Sequence, residues 1–219
     1  MSISLKFSKL EFGSLLSYSP AGSSEPERRS KSIMTAIKND KFIGDPPILT
    51  SEFISNSIKE KMTALPFGHF FRTNPILVPI PNSSLMQPDT LWVSRRLADA
   101  LYRNGLGIAV ENLLERFQPL RKAATCTAQN RPKASEHYNS LNVQKRFHNP
   151  REILLIDDIV TRGATLLGAA NRLEETFPEV HVRAFAAIRS ISPPFIFKHV
   201  YDPQKGLITL NGQETFRKP

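Results

Sequence analysis

The chain has 219 residues, of which 40% are hydrophobic and 22% charged, so it is long enough for one sizeable core or two small domains. This composition excludes a disulfide mini-protein and a disordered tail. Lys and Arg number 29 against 20 Asp and Glu, and the net charge of +9 favours an anionic partner: nucleic acid, a membrane surface or a phosphorylated small molecule.

Most of the excess charge lies in one stretch of the chain. Residues 116–151 hold eight Lys and Arg but one acidic residue, Glu136, which gives this stretch a net charge of +7. Such a run is commonly a solvated surface, unless a neighbouring anion site gives it a function.

Cysteine content and hydropathy indicate the compartment. The single cysteine, Cys126, cannot form an internal disulfide, and no Cys or His cluster accompanies it to hold a structural zinc. The chain also lacks the roughly 18 consecutive apolar residues that a membrane span needs. We therefore expect a soluble, cytoplasmic protein without a membrane partner.

Apolar periodicity predicts helices alternating with buried strands. In chain order, the predicted elements are helices at 30–38 and 51–62, a strand at 76–80, a turn at 81–89, a helix at 90–104, a strand at 107–110, an irregular stretch at 121–140, an extended segment at 141–147, a strand at 152–156 that ends at Asp157, a helix to about residue 176, and a strand at 180–188. The strands are continuously apolar, which is typical of a parallel sheet covered on both faces. The fold class predicted is α/β, with a Rossmann-like, open, mainly parallel sheet and helices on both of its faces.

The segment 153–165, ILLIDDIVTRGAT, combines two acids with an anion-binding turn. Ligands of open α/β sheets bind beyond the carboxyl ends of strands, where we expect Asp157 and Asp158. Residues 161–165 open the next helix, whose free N–H groups attract a phosphate, and Gly163 lets the backbone approach it closely. Carboxylates repel a phosphate, so the ligand must present neutral hydroxyls to the acids, as a ribose 5-phosphate does.

This segment resembles the 13-residue signature of the type I phosphoribosyltransferases. The resemblance implies that the two acids hold the ribose hydroxyls and that the loop holds the 5-phosphate of phosphoribosyl pyrophosphate (PRPP). Arg162 stands where that family commonly has a small hydroxyl residue. The substrate-binding residues implied here are Asp157, Asp158, Ile159, Val160, Thr161, Arg162, Gly163, Ala164 and Thr165. The alternatives are a buried strand with a capped helix and no ligand, or an acidic metal site.

The resemblance extends over residues 70–192 and implies a pyrophosphate loop after the strand at 76–80, with Asn82, Ser83 and Ser84 as substrate contacts. An ordinary turn is the alternative for these three residues. The Val-Pro-Ile-Pro strand end is similar to that of ComF-like members, although the amino-terminal zinc ribbon of those proteins is missing here. The domains expected are a helical hood segment at 1–69, the phosphoribosyltransferase core at 70–192 and a carboxy-terminal hood or tail at 193–219.

The basic stretch occupies the place of the flexible loop that closes over pyrophosphate in type I enzymes. We expect Arg121, Lys122, Arg131 and Lys133 to contact the substrate, with Arg121 and Lys122 joining the two acids as catalytic residues. His137 is a candidate general base or a hydrogen-bonding side chain. Phe195 or Phe197 is expected to stack on a base or to pack in the core.

The resemblance implies an enzyme that transfers ribose 5-phosphate to or from a nitrogenous base with exchange of pyrophosphate. The cofactor implied is Mg²⁺, held by Asp157 and Asp158 mostly through water and substrate. PRPP and a base are the expected partners, and a homodimer is compatible with the resemblance. The alternative is a non-catalytic sensor of PRPP or a nucleotide, or a ComF-like protein acting with nucleic acid, which the overall charge favours and the absence of a helix-turn-helix pattern disfavours.

Overall fold

The computed structural model describes residues 5–121, 126–127, 130–144, 150–193 and 195–218. Within these residues the helices are α1 Glu25–Lys38, α2 Thr50–Lys61, α3 His69–Arg72, α4 Val93–Arg103, α5 Ala134–Asn139 and α6 Ala164–Thr176. The strands are β1 Lys9–Tyr18, β2 Phe42–Ile43, β3 Ile48–Leu49, β4 Ile76–Pro79, β5 Ala109–Val110, β6 Leu114–Arg116, β7 Leu141–Val143, β8 Glu152–Val160, β9 His181–Ser190, β10 Tyr201–Asn211 and β11 Glu214–Lys218.

The main sheet has seven strands in the order β11-β10-β1-β9-β8-β4-β5. Five of these strands, β1, β9, β8, β4 and β5, run parallel to one another. Strand β10 is antiparallel to both of its neighbours, β1 and β11. The pairs β2–β3 and β6–β7 form two small antiparallel sheets. The predicted α/β class, with a mainly parallel sheet, is confirmed.

Each face of the sheet buries its own apolar core. In β8, Ile153 and Leu155 pack into the core that α6 covers, while Leu154 and Ile156 pack into the core that α1, α2 and α4 cover. Successive side chains of a strand point to opposite faces, so a strand covered on both sides is apolar throughout. The continuous apolar run at 153–156 is therefore explained, and the prediction of helices on both faces is confirmed.

Three strands of the sheet were not predicted from the sequence. Strand β1 lies between β10 and β9, and the β10–β11 hairpin extends the same sheet beyond it. In β10, Ile208 is fully buried but most other residues are partly exposed, so the strand lacks a strong apolar pattern. Its pairing partner β1 lies about 190 residues earlier in the chain, for example Lys9 opposite Thr209. The predicted division at 1–69, 70–192 and 193–219 stays a prediction.

Two local predictions were wrong. The irregular stretch at 121–140 contains helix α5, which packs on α6 and buries Ala134 and His137. This helix is too short for a periodic signal, and the contact with α6 stabilises it. Strand β8 does not end at Asp157 but continues to Val160, because β9 continues beside it as far as Arg189 opposite Val160. The predicted extended segment 141–147 begins with strand β7, Leu141–Val143, and its residues 145–147 lie outside the described residues.

No helix among the described residues is both long and apolar enough to cross a membrane.

Helices α5 and α6 pack closely together at Gly168. A Cβ atom there would lie 2.5 Å from the carbonyl oxygen of Ala134 and 2.8 Å from the Cβ atom of His137. We expect Gly168→Val to lower the free energy of unfolding by about 2–3 kcal/mol, because the backbone of α5 would have to move. Chemical denaturation measures the change. The exposed Glu175→Ala on the same helix is the control and is expected to stay within about 0.5 kcal/mol of the parent chain.

Candidate active site

The two predicted substrate loops follow the carboxyl ends of neighbouring parallel strands, β4 and β8. Strands β4 and β8 are paired up to Pro79 opposite Ile156, and the N–H of Ile80 still donates to the carbonyl of Ile156 at 2.9 Å. Beyond this point β8 continues, with β9 as its remaining neighbour. The chain passes from β4 to α4 on one face and from β8 to α6 on the other, which leaves a crevice of the kind that binds ligands in open α/β sheets. We call this space the strand-end crevice.

Asp157 and Asp158 lie at the edge of the strand-end crevice. Asp157 Oδ1 accepts hydrogen bonds from the N–H of Asp158 at 3.0 Å and from the hydroxyl of Ser94 at 3.2 Å. Asp158 Oδ1 accepts from the N–H of Ile159 at 2.9 Å. Burial raises the pKa of Asp157 well above its usual value, and the negative charge of Asp158 raises it further. A cation or a hydroxyl donor placed here would relieve this repulsion.

The loop after β8 turns into α6 at Gly163. This residue has φ +84°, and a Cβ atom on it would lie 2.5 Å from Cδ1 of Ile208, so both its conformation and its surroundings require glycine. Helix α6 begins at the next residue, where free N–H groups and the helix dipole favour an anion. A cavity of about 50 Å³ adjoins this turn, a space suited to a phosphate-sized group. It is lined by Arg131, Pro132, His137, Asp157 and residues 159–166.

His137 forms one wall of the phosphate-sized cavity. Its Nε2 lies 3.2 Å from the hydroxyl oxygen of Thr165, and its Nδ1 is buried without a partner among the described residues. Burial, together with the positive charge of Arg116, lowers the pKa of His137 to about 3. The imidazole is therefore neutral near pH 7 and too weakly basic to act as a general base. Its structural role is to fix the Thr165 hydroxyl.

Arg116 is a site residue that the sequence analysis placed in a charge run but gave no role. It lies on β6 and is 4% exposed. Its Nε donates to the carbonyl of Asn82 at 2.5 Å, and its Nη1 donates to the hydroxyl of Ser140. Burial lowers its pKa to about 10, and the carboxylate of Asp157 acts against that shift. Arg116 thus joins the loop after β4 to α5, and its Nη2 remains without a partner in the described part of the chain.

Of the four predicted lid cations, Arg121, Lys122, Arg131 and Lys133, the three that the structure describes lie in different surroundings. Arg131 lines the phosphate-sized cavity, and its Nε is buried without a hydrogen-bond partner among the described residues. Arg121 pairs with Glu136 of α5 at 2.8 Å, at the exposed rim. Lys133 donates to Gln213 at 2.8 Å and lies 3.7 Å from a carboxylate oxygen of Glu214. Lys122 lies outside the described residues.

The carboxy-terminal hairpin packs against the loop after β8. Glu214 of β11 pairs with Arg162 at 3.1 Å as well as with Lys133, so one carboxylate neutralises two predicted phosphate contacts. Arg217 Nε donates to the carbonyl of Thr161 at 2.8 Å. No local sequence pattern predicts this contact, because Thr161 and Arg217 are more than 50 positions apart.

The predicted pyrophosphate residues lie on the loop after β4. The amide of Asn82 donates to the carbonyl of Leu91 at 3.1 Å, and the carbonyl of Ser83 accepts from the N–H of Leu120 at 2.8 Å. Ser84 is exposed. None of these three residues lines the phosphate-sized cavity. Arg116 donates a hydrogen bond to the carbonyl of Asn82 and is acted on by the charge of Asp157, so it links the loop after β4 to the acid pair.

A magnesium ion is compatible with the acid pair but would need ligands from elsewhere. Among the described residues, no group of three or more His, Cys, Asp and Glu side chains is arranged to hold a metal. Mg²⁺ prefers carboxylate, phosphate and water oxygens in octahedral geometry. Asp157 and Asp158 would supply two carboxylates, and the raised pKa of Asp157 is the kind of shift that a nearby cation would offset.

No protein-family model matches the chain, and no curated protein sequence matches it. Two crystal structures of a hypoxanthine phosphoribosyltransferase from Staphylococcus aureus are similar to it, each over 71% of this chain and 82% of that one. The identities are 14% and 15%, and the TM-scores are 0.38 and 0.35. At these values the likeness does not assign an activity to this chain.

The buried His137 makes stability depend on pH. The unfolded chain takes up a proton at His137 near pH 6.5, whereas the folded chain takes it up near pH 3. The contribution of His137 to stability is therefore intact above pH 6.5 and falls as the pH is lowered, by at most about 1.4 kcal/mol per pH unit. We expect His137→Gln to lose part of this acid sensitivity between pH 6.5 and 4.5 in urea titrations. His199→Gln, at an exposed histidine, is the control, and identical pH profiles of His137→Gln and the parent chain would contradict the assignment.

Proposed function

We propose that the chain is a phosphoribosyltransferase that binds PRPP and Mg²⁺ in the strand-end crevice. It transfers ribose 5-phosphate to or from a nitrogenous base with exchange of pyrophosphate. One observation carries the proposal: β8 presents two adjacent carboxylates and then a glycine-started helix N terminus, beside the point where β4 leaves the sheet. Few ligands match both parts of this site, because the carboxylates attract hydroxyls or cations whereas the N terminus of α6 attracts anions.

PRPP is oriented in the crevice because its hydroxyls match the two carboxylates and its 5-phosphate matches the N terminus of α6. The 5-phosphate occupies the cavity at residues 161–165, where the first turn of α6 and the Thr165 hydroxyl donate hydrogen bonds. The ribose hydroxyls donate to Asp157 and Asp158, which keeps the carboxylates away from the phosphate. The pyrophosphate then extends towards the loop after β4, and Arg131 and the lid cations neutralise it.

The reaction breaks the bond between ribose C1 and a pyrophosphate oxygen while a ring or amine nitrogen of the base forms a bond to C1. Positive charge develops on the sugar, and Asp157 and Asp158 offset it. Asp157 and Asp158 would hold Mg²⁺, mostly through water and substrate, and the ion would supply positive charge that neutralises the leaving pyrophosphate. His137 holds Thr165 and takes no proton, since its pKa is too low for that role. Arg116 acts as a positioning residue for the loop after β4.

A second candidate is a sensor of PRPP or a nucleotide, including a ComF-like protein that acts with nucleic acid. The contact of Glu214 with Arg162 and Lys133 supports this candidate, because an arriving phosphate would displace a carboxylate of the protein and free the Glu214 side chain at the start of β11. Pyrophosphate release, measured across a panel of purine and pyrimidine bases, separates the two candidates. Tight, salt-dependent binding of single-stranded DNA without pyrophosphate release would favour the sensor.

Asp157→Asn tests the ribose contact and the pKa of Asp157 together. In the folded chain the pKa is raised, so ionisation at pH 7.5 destabilises the fold, and Asn removes that cost while keeping Oδ1 as an acceptor. We expect the variant to melt about 2–4 °C higher than the parent chain, as about 1 kcal/mol would give at this length. This advantage should shrink as the pH falls through the folded pKa, because the parent carboxyl then becomes neutral as well.

The same variant is expected to lose protection by PRPP with Mg²⁺. In the parent chain, ligand at 100 times its dissociation constant should add about 2.7 kcal/mol of stability. Asp45→Asn, at an exposed loop position, is the matched control and should retain both the melting temperature and the protection. Full protection of Asp157→Asn by PRPP would remove the ribose assignment.

Glu214→Gln is expected to strengthen phosphate binding. The substitution removes the carboxylate that competes for Arg162 and Lys133, both about one-third exposed, so the gain should be modest. We expect the affinity for ribose 5-phosphate to rise about two- to fivefold, as for the loss of a pair worth up to about 1 kcal/mol. Calorimetric titration measures it, with Glu11→Gln as the control because Glu11 pairs with Lys205 of β10 and does not line the phosphate-sized cavity. An unchanged or weaker affinity would contradict this role of Glu214.

A further inference from the structure

A cavity of about 620 Å³ lies between α1, α2 and the segment at 197–201 that leads into β10. It belongs to the core on the α1 side of the sheet, whereas the phosphate-sized cavity is enclosed by the loop after β8 and by α5. The two cavities share no lining residue. Its size falls in the range of roughly 300–1,000 Å³ that is typical of small-molecule sites.

The walls of this cavity are mainly apolar. The apolar lining residues include Leu16, Ile33, Ile37, Phe53, Ile54 and Phe197. Thr50 is a buried polar lining residue, and its hydroxyl is already bonded to Asp40 at 3.1 Å. No described lining side chain has a buried polar atom left without a partner. A ligand would therefore be held inside mainly by apolar contact.

The rim carries positive charge. Arg29 and Lys198 line the cavity, and neither forms an ion pair with any described residue. The acidic lining residue, Glu25, is neutralised by Arg28 at 3.0 Å. Lys61 lies 4.6 Å above the ring of Tyr201, another lining residue, which adds a third cation beside the opening.

We propose that this cavity binds an amphipathic carboxylate: a molecule with an unbranched apolar chain inside the cavity and one anionic head at Arg29 and Lys198. The apolar wall accounts for the chain, and the unpaired cations account for the head. Each CH₂ group that becomes buried should raise the affinity about three- to fourfold. The binding site is independent of the strand-end crevice, so it stands whether or not the chain transfers phosphoribosyl groups.

Saturated fatty acids from hexanoate to decanoate test the apolar part on the full chain. Calorimetric titration below the micellar concentration should give one saturable site with affinity rising along the series. Ala36→Trp adds a large side chain to the cavity wall and should abolish binding of decanoate, whereas Thr35→Trp, on the exposed side of the same helix, should not change it. Thermal melting without ligand shows whether both variants fold. Unchanged binding by a folded Ala36→Trp would overturn the proposal.

Head-group selectivity tests whether Arg29 and Lys198 bind the anionic head. The first measurement compares ligands on the parent chain. Decanoate should bind at least about tenfold more tightly than decanol or decylamine. Arg29→Gln with Lys198→Gln should remove that preference and leave decanol binding unchanged, while Lys38→Gln, an exposed lysine outside the cavity, should have no effect. Equal affinity for decylamine would overturn the head-group assignment. Concentration-dependent self-association that Ala36→Trp abolishes, without fatty-acid binding, would instead identify this face as an interface between copies of the chain.

Discussion

Strand β8 changes its number of neighbours along its length, and the rest of the molecule is arranged around that change. Up to Ile156 it is paired on both sides and buried on both faces, which requires four consecutive apolar residues. After Ile156 it keeps β9 and loses β4, so the same strand becomes partly exposed just where its side chains turn acidic. The apolar half fixes the position of β8 in the sheet, and that position holds the acidic half beside the strand-end crevice.

The charges around the crevice are costly to the fold. Asp157 has a raised pKa, Arg116 and Arg217 have pKa values lowered to about 10, and His137 has a pKa lowered to about 3. Burial is the first cause of each shift, so each of these groups is less stable in its charged form than it would be in water. Groups of this kind are enriched at functional sites, because a ligand can supply the charge or hydrogen bond that the protein omits.

The ends of the chain contribute to both cavities. The β10–β11 hairpin brings Ile208 against Gly163 and Glu214 against Arg162, so the hairpin shapes the turn between β8 and α6. The segment just before this hairpin, with Phe197 and Tyr201, walls the apolar cavity on the α1 side. Strand β1 lies between the two cavities. It pairs with both β9 and β10, which puts the hairpin at one edge of the sheet. A single hairpin therefore contacts a polar site and an apolar one.

The local sequence determined the α/β class, the strand at 76–80, the helices around it and the motif at 153–165, because each depends on neighbouring residues: apolar period, glycine conformation and the order of acids and hydroxyls. It did not determine that β8 continues to Val160, that Ala134–Asn139 is a helix, or that β1 and β10 join the sheet, since each depends on a partner distant in the chain. The roles of the cations show the same division. Composition located a net charge of +7 between residues 116 and 151, but only tertiary structure distinguished the buried Arg116 and cavity-lining Arg131 from Arg121 and Lys133, which pair with carboxylates of the protein. Charge is written in the sequence, whereas burial and pairing, which decide what a charge does, arise when distant segments pack together.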